Sequence, residues 1–142
     1  MSIEAHNISF CYGSKKIIDK LSIRLEHGRF HGILGPNGSG KTTLLDVLSS
    51  HRPPSSGSVL FNGKSLATYT RKQLAKEIAI VPQNFYINFP FTVADIVMMG
   101  RHPHIPRFAR PAAADFEIVA KVMHQTQVYE FRQSFYHRVE RR

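Results

Sequence analysis

The stretch Gly35-Pro36-Asn37-Gly38-Ser39-Gly40-Lys41-Thr42 decides the fold, because it satisfies the phosphate-loop pattern G-x-x-x-x-G-K-[ST] at every fixed position. The preceding residues, Phe30 to Leu34, predict a short buried strand, and Thr43 to Leu48 predict a helix with one apolar side. In a strand–turn–helix context, free backbone amides and the helix dipole point at an anion. The sequence therefore predicts a phosphate-binding loop in an α/β domain.

The residue types within the loop fit this chemistry. Gly35, Gly38 and Gly40 allow a tight turn and a close approach to phosphate oxygens, and their amides form the cradle together with those of Asn37 and Ser39. Lys41 is expected to reach the β- and γ-phosphates, and the Thr42 hydroxyl to bind Mg²⁺. The alternative is a glycine-rich turn beside a chance Lys-Thr pair.

Length and composition limit the classes of protein to which this chain can belong. The chain has 142 residues, of which 42% are hydrophobic and 20% charged, as expected for one compact globular domain. No apolar run is long enough to span a bilayer, and the N-terminus lacks the features of a secretory signal. The single cysteine, Cys11, excludes an internal disulfide and fits a reducing compartment.

The basic character of the chain leaves a second function class open. The formal net charge is +9, which is compatible with nucleic acid or an anionic membrane as a partner. The basic residues are scattered, however, and no run interleaves them with aromatic residues as single-strand binders do. We therefore expect no nucleic-acid partner, and a basic nucleic-acid-binding protein is kept as an alternative.

The remaining elements follow from hydrophobic periodicity and turn residues. Thr92 and Asp95 have the spacing of a helix capping box. Strands are predicted at Ile3 to Phe10, Ile17 to Leu25, Ser58 to Phe61 and Ile78 to Val81, and further helices at Arg71 to Glu77 and Pro111 to about Gln127. The predicted apolar positions of the last helix are Phe116, Val119, Val122 and Met123.

Four landmarks, in order and at the expected spacing, resemble the ATP-binding subunits of ABC (ATP-binding cassette) transporters over Ile3 to about Phe131. They are Ser9-Phe10-Cys11-Tyr12-Gly13, the phosphate loop Gly35 to Thr43, the strand and turn Gly57-Ser58-Val59-Leu60-Phe61-Asn62-Gly63, and the glutamine loop Ile80-Val81-Pro82-Gln83. The resemblance implies an α/β P-loop nucleotide-binding domain of ABC type, with a mixed-sheet core and the start of a helical subdomain, incomplete at its C-terminus. The expected divisions are 1–83 for the ATP-binding core, 84–132 for the helical part and 133–142 for an aberrant tail.

The resemblance also implies the ligands and the residues that bind them. ATP and Mg²⁺ are the expected cofactors, Tyr12 is expected to stack on adenine, and Thr42 and Gln83 are expected to bind the metal. The implied nucleotide-binding residues are Tyr12, Gly35, Pro36, Asn37, Gly38, Ser39, Gly40, Lys41, Thr42, Thr43 and Gln83.

One further segment narrows the branch of the family. Thr92-Val93-Ala94-Asp95-Ile96-Val97-Met98-Met99-Gly100-Arg101-His102-Pro103-His104 resembles the import branch that serves iron–siderophore complexes, haem and cobalamin. This implies a cytoplasmic protein at the inner face of the membrane, a membrane-spanning permease partner that contacts about residues 84–110 and, for a full-length protein, a second ATP-binding subunit. His102 and His104 are interpreted as loop histidines, since no cluster of Cys or carboxylate residues supports metal binding.

Several motifs of the family are missing from this sequence. We find no Leu-Ser-Gly-Gly-Gln signature, no apolar strand ending in Asp-Glu and no later switch histidine, so no catalytic residue is assigned and we expect negligible hydrolysis by this chain alone. Asp46 follows two leucines but lies on the helix after Thr42, so it is not interpreted as the metal-binding aspartate.

The sequence ends with Val139-Glu140-Arg141-Arg142. Codons that encode Leu-Ser-Gly-Gly-Glu in one reading frame can encode these four residues and a stop codon when they are read one base earlier. A frameshift is therefore a hypothesis, and a non-functional remnant of a frameshifted gene is the second alternative.

Overall fold

A four-stranded antiparallel sheet forms the first half of the protein in the computed structural model, which describes residues 2–83, 87 and 89–136. Strand β1 (Ser2–Tyr12) pairs with β2 (Lys15–Glu26) through a turn at Gly13 and Ser14. On its other side β1 pairs with β3 (Ser56–Phe61), which turns at Asn62 and Gly63 into the short β4 (Lys64–Ser65). The strand order is therefore β2-β1-β3-β4.

Helix α1 (Lys41–Leu48) follows the glycine-rich loop and contributes one face to the buried interior. Its apolar residues recur at helical spacing, so Leu44, Val47 and Leu48 are buried together. Buried residues of the sheet follow the two-residue period of a strand from Ile8 to Phe10 and from Val59 to Phe61, and a register shift between Ala5 and Ile8 interrupts this period in β1. They are Ala5, Ile8, Phe10, Ile18, Val59 and Phe61.

The chain divides into two compact units, Met1–Leu74 and Ala75–Arg142, and the division lies earlier in the chain than the boundary expected after residue 83. A short helix, α2 (Arg71–Leu74), ends the first unit. The second unit contains α3 (Val93–Met99) and α4 (Ala113–Gln125), which pack against each other. Among the described residues, no helix is both long and apolar enough to cross a bilayer.

Helices α3 and α4 each have an aspartate in the first turn that accepts a backbone hydrogen bond. The Thr92 amide and hydroxyl donate to Asp95 Oδ2 at 2.9 and 2.6 Å, and the Thr92 hydroxyl, followed by the amide, lowers the pKa of Asp95. The Ala112 amide donates to Asp115 Oδ2 at 3.0 Å, and Arg101 Nε donates to Asp115 Oδ1 at 2.9 Å. These two donors, the amide first, lower the pKa of Asp115.

The part of the expected tail that the structure describes is joined to the start of α3. The Tyr136 amide donates to the Phe91 carbonyl at 3.0 Å, and the Val93 amide donates to the Ser134 carbonyl at 3.0 Å. Residues 137–142, which include the segment behind the frameshift hypothesis, lie outside the described residues.

Most of the predicted elements are confirmed. The first predicted strand is present, the segment Ile17 to Leu25 lies within the single strand β2, and the Asn62-Gly63 turn forms as predicted. The helices after the loop, after Thr92 and after Pro111 are also present, and the helix at Arg71 is shorter than expected.

Two predicted strands are wrong. Residues 30–34 and 78–81 are irregular, and Phe30, Leu34 and Val81 are 100%, 95% and 95% exposed. A strand is held by hydrogen bonds to a neighbouring strand, and no described segment pairs with either run. The sheet of the described residues is consequently antiparallel throughout instead of mixed.

The amphipathic prediction for α4 holds for half of its apolar positions. Val119 and Met123 are buried, whereas Phe116 and Val122 are 57% and 39% exposed. Val119 and Met123 lie one turn apart on one face of the helix, and Val122 lies to the side of that face. Phe116 is on the same face as Met123 but one turn before Val119, near the start of the helix, and is exposed there.

Candidate nucleotide-binding site

The glycine-rich loop leads directly into the N-terminus of α1. Gly38 and Gly40 have φ angles of +82° and +89°, in the region that L-residues with a side chain rarely adopt. Gly40 is the N-cap residue of α1, and the first helical hydrogen bond runs from the Leu44 amide to the Gly40 carbonyl at 2.8 Å. The glycines at these two positions therefore allow the chain to turn into the helix.

The amides of the first turn of α1 are available to an external anion. The first amides of any α-helix lack an acceptor within the helix, and among the described residues the N-cap of α1 provides no side-chain acceptor for them. The first turn also contains no acidic residue, so the positive end of the helix dipole is not neutralised locally. The arrangement has the donors and the polarity that a phosphate group requires.

The Lys41 side chain folds back over the loop. Its Nζ donates to the carbonyl oxygens of Gly35 and Pro36 at 2.9 and 2.8 Å. These acceptors are neutral carbonyls, so a phosphate oxygen offers the ammonium a stronger, charge-assisted partner. An open cavity of about 390 Å³ adjoins the loop, and its lining includes Gly35, Gly40 and Lys41 together with the apolar side chains of Ile17, Ile33 and Leu44.

Other residues of the predicted site lie along the same contiguous segment. Thr42 is exposed at the start of α1, whereas Thr43 is buried. Pro36, Asn37 and Ser39 are exposed, and the Ser39 amide donates to the Pro36 carbonyl at 3.3 Å. The fold thus places residues 35–43 together at the beginning of one helix.

Tyr12 lies at the end of β1, in the same unit as the loop, and is 45% exposed. Gln83 belongs to the second unit, is exposed, and directly precedes residues 84–86, which lie outside the described residues. The contribution of Gln83 to the site therefore stays a prediction. His102 and His104 are exposed in the turns after α3.

The sequence does not assign Arg52, which contacts Tyr12, or its partner Asp46 to the site. The Arg52 guanidinium lies over the Tyr12 ring, with Cζ 5.2 Å from the ring centroid, and forms an ion pair with Asp46. Forty positions separate Arg52 from Tyr12 in the chain, so no local pattern indicates their contact.

Comparisons with known proteins converge on one family. Residues 18–140 match the family described as "ABC transporter". A similar relative is the ABC transporter ATP-binding protein YvrA of Bacillus subtilis, which is 42% identical over 92% of this chain and 30% of its own length. The hemin import ATP-binding protein HmuV of Thermobifida fusca is 36% identical over 87% of this chain and 43% of its own length. Ferric enterobactin and cobalamin import ATP-binding proteins also match.

A solved structure gives the same result at the level of the fold. An ABC transporter of metal-chelate type, in an inward-facing conformation, matches with a TM-score of 0.76 and 29% identity, over 94% of this chain and 49% of that chain. The chain spans between about a third and a half of the proteins that it matches. The sequence similarity covers the glycine-rich loop, both helices of the second unit and all strands after residue 18.

Proposed function

The chain belongs to the ABC transporter family, and we propose that it is the ATP-binding portion of an importer ATPase. The observation that carries this proposal is the geometry of residues 35–43. Uncapped amides at the start of α1, positive φ angles at the glycines and the ammonium of Lys41 form an electropositive cradle. Such a cradle binds the β- and γ-phosphates of a nucleoside triphosphate.

The base and the metal are assigned to further residues within this proposal. Tyr12 offers an exposed ring for adenine, a contact worth about 1–3 kcal/mol when bases stack on aromatic side chains. The exposed hydroxyl of Thr42 fits Mg²⁺, which prefers oxygen ligands and retains several waters, and Gln83 is a second candidate ligand. When bound, the metal neutralises charge on the phosphate oxygens.

The names of the relatives support the import branch. HmuV is named for hemin import, and other relatives are named for ferric enterobactin transport and cobalamin import. We propose iron–siderophore complexes or related chelates as cargo, a permease partner that contacts about residues 84–110 and, for the full-length protein, a second ATP-binding subunit. These partners imply a cytoplasmic location at the inner face of the membrane.

Binding and hydrolysis are expected to separate in this chain. The sequence contains no apolar strand ending in Asp-Glu, which in this family would hold Mg²⁺ and polarise the attacking water. We therefore propose that the chain alone binds Mg-ATP weakly and turns it over at a negligible rate.

Titration calorimetry with Mg-ATP tests the proposal. Lys41→Ala removes the ammonium from the cradle and should weaken binding about tenfold or more, since a charge-assisted hydrogen bond contributes about 1.5–3 kcal/mol. Lys121→Ala is the matched control, because it removes the same charge from an exposed position on α4 and should leave the affinity unchanged.

Two outcomes would contradict the proposal. Equal affinities of wild type and Lys41→Ala would show that ATP binds elsewhere, and no saturable binding would favour the non-functional remnant. Salt-sensitive retention on DNA that neither ATP nor Lys41→Ala affects would favour the nucleic-acid-binding alternative.

A further inference from the structure

The surroundings of Tyr12 carry an inference beyond its contact with a base. The Phe10 ring meets the Tyr12 ring edge-on, with centroids 5.0 Å apart and an interplanar angle of 83°. The Arg52 guanidinium lies over the face of the same ring, with Cζ 5.2 Å from its centroid. Phe10 thus contacts the ring in an edge-to-face arrangement, and the cation covers a face.

Arg52 is held in this place from both of its ends. Its Nε donates to Asp46 Oδ2 at 3.3 Å, and its backbone amide donates to the Asp46 carbonyl at 3.1 Å. Asp46 lies on α1, the helix whose other end is the phosphate loop. The position of the guanidinium is therefore tied to the same helix that begins at Lys41.

The segment that follows Arg52 is in turn fastened to β1. The Ser55 amide donates to the Ser9 carbonyl at 2.8 Å, and the Cys11 amide donates to Ser55 Oγ at 3.3 Å. These bonds lie on the strand that ends at Tyr12, so they fix the path of the chain past the tyrosine. The contact between Arg52 and the ring is built from several independent bonds.

We infer that Arg52, held by Asp46, is a positioning residue that covers one face of Tyr12 and leaves the other face for adenine. The inference rests on the proposed function, because it assumes that Tyr12 stacks on the base. A cation on the face of an aromatic ring is attracted by its quadrupole, and a ring that is already ordered loses less entropy when it binds.

A contribution to folding stability does not by itself account for the Arg52–Asp46 ion pair. The side chains of Arg52 and Asp46 are 47% and 31% exposed, and ion pairs with such exposure contribute little to folding. The main effect of the Arg52–Asp46 ion pair is therefore to hold the guanidinium over the Tyr12 ring. If the guanidinium in this position supports the stacking of adenine on Tyr12, its removal should weaken the binding of ligands that contain a base. The affinity for ligands without a base should not change.

Two ligands separate the base contact from the phosphate contact. We would titrate the full chain with Mg-ATP and with inorganic tripolyphosphate, which can use only the phosphate loop. Arg52→Gln and Asp46→Asn should each weaken ATP binding about two- to fivefold, in line with a cation–π contact at an exposed site, and leave tripolyphosphate unchanged. Arg110→Gln is the control for the loss of one positive charge and should change neither affinity.

A double variant tests whether Arg52 acts through Tyr12. Once Tyr12→Leu has removed the ring, adding Arg52→Gln should weaken ATP binding no further. The inference is overturned if Arg52→Gln weakens both ligands equally, if it changes neither, or if its effect multiplies with that of Tyr12→Leu. Binding of ATP that does not depend on Lys41 refutes the proposed function itself, whereas Lys41-dependent binding that is indifferent to Arg52 refutes only this inference.

Discussion

Replacement of Gly57 by alanine should destabilise the protein more than the same replacement of a glycine in an open turn. Gly57 lies in β3 with a φ angle of +82°, opposite the irregularity in β1 around Asn7. A Cβ atom there would lie 2.5 Å from the His6 carbonyl oxygen and even closer to that of Asn7. Both obstacles are backbone atoms, so they cannot move aside without parting β1 from β3.

The expected cost has two parts. The left-handed conformation costs a residue with a side chain about 1–2 kcal/mol. Crowding in a packed region adds about 1–3 kcal/mol, so the total for Gly57→Ala is about 2–5 kcal/mol. Gly63 provides the matched control, because its φ angle is +75° and an added Cβ would meet nothing within 4 Å. Gly63→Ala should therefore show the conformational cost alone.

Urea unfolding followed by far-UV circular dichroism measures both variants, since the chain contains no tryptophan for fluorescence. The free energy of unfolding should fall further for Gly57→Ala than for Gly63→Ala, by about 1–3 kcal/mol. Equal losses in the two variants would refute the close approach of β3 to the bulge in β1.

Two predictions concern the second unit. Asp95→Asn should destabilise α3 by about 1 kcal/mol at neutral pH through the weakened cap. Because the pKa of Asp95 is lowered in the folded state, its contribution is present above the ordinary value of 3.8 and is lost as the pH falls through the folded pKa, so wild type and variant should converge in acid denaturation curves. Arg101→Gln should lower the midpoint of thermal unfolding more than Arg110→Gln, because Arg101 donates to Asp115, the aspartate that accepts from the amide of Ala112 at the N-cap of α4. Equal midpoints for the two arginine variants would contradict this role.

Features encoded in contiguous residues could be predicted from the sequence. The turn into α1 requires glycine where φ is positive, and the pattern supplies glycine at positions 38 and 40. The cap of α3 needs only Thr92 and a carboxylate three residues later. In both cases the interacting groups lie within one turn of the chain, so local spacing contains the information.

Features that depend on distant residues could not be predicted in this way. The apolar runs at 30–34 and 78–81 have the composition of buried strands, but a strand forms only beside another strand. No described segment supplies one, so Phe30 and Val81 are exposed instead of buried. The contact of Arg52 with Tyr12 could not be predicted for a related reason. It joins a loop after α1 to the end of β1, and these segments are distant in the sequence.

The most direct test of the central claim is an amide-resolved NMR titration of the isotope-labelled chain with Mg-ATP. If the uncapped amides at the start of α1 bind the phosphates, the largest saturable shifts should occur at the amides of residues 37–43. Unchanged amides in that segment at saturating nucleotide, or shifts confined to other parts of the chain, would contradict the account.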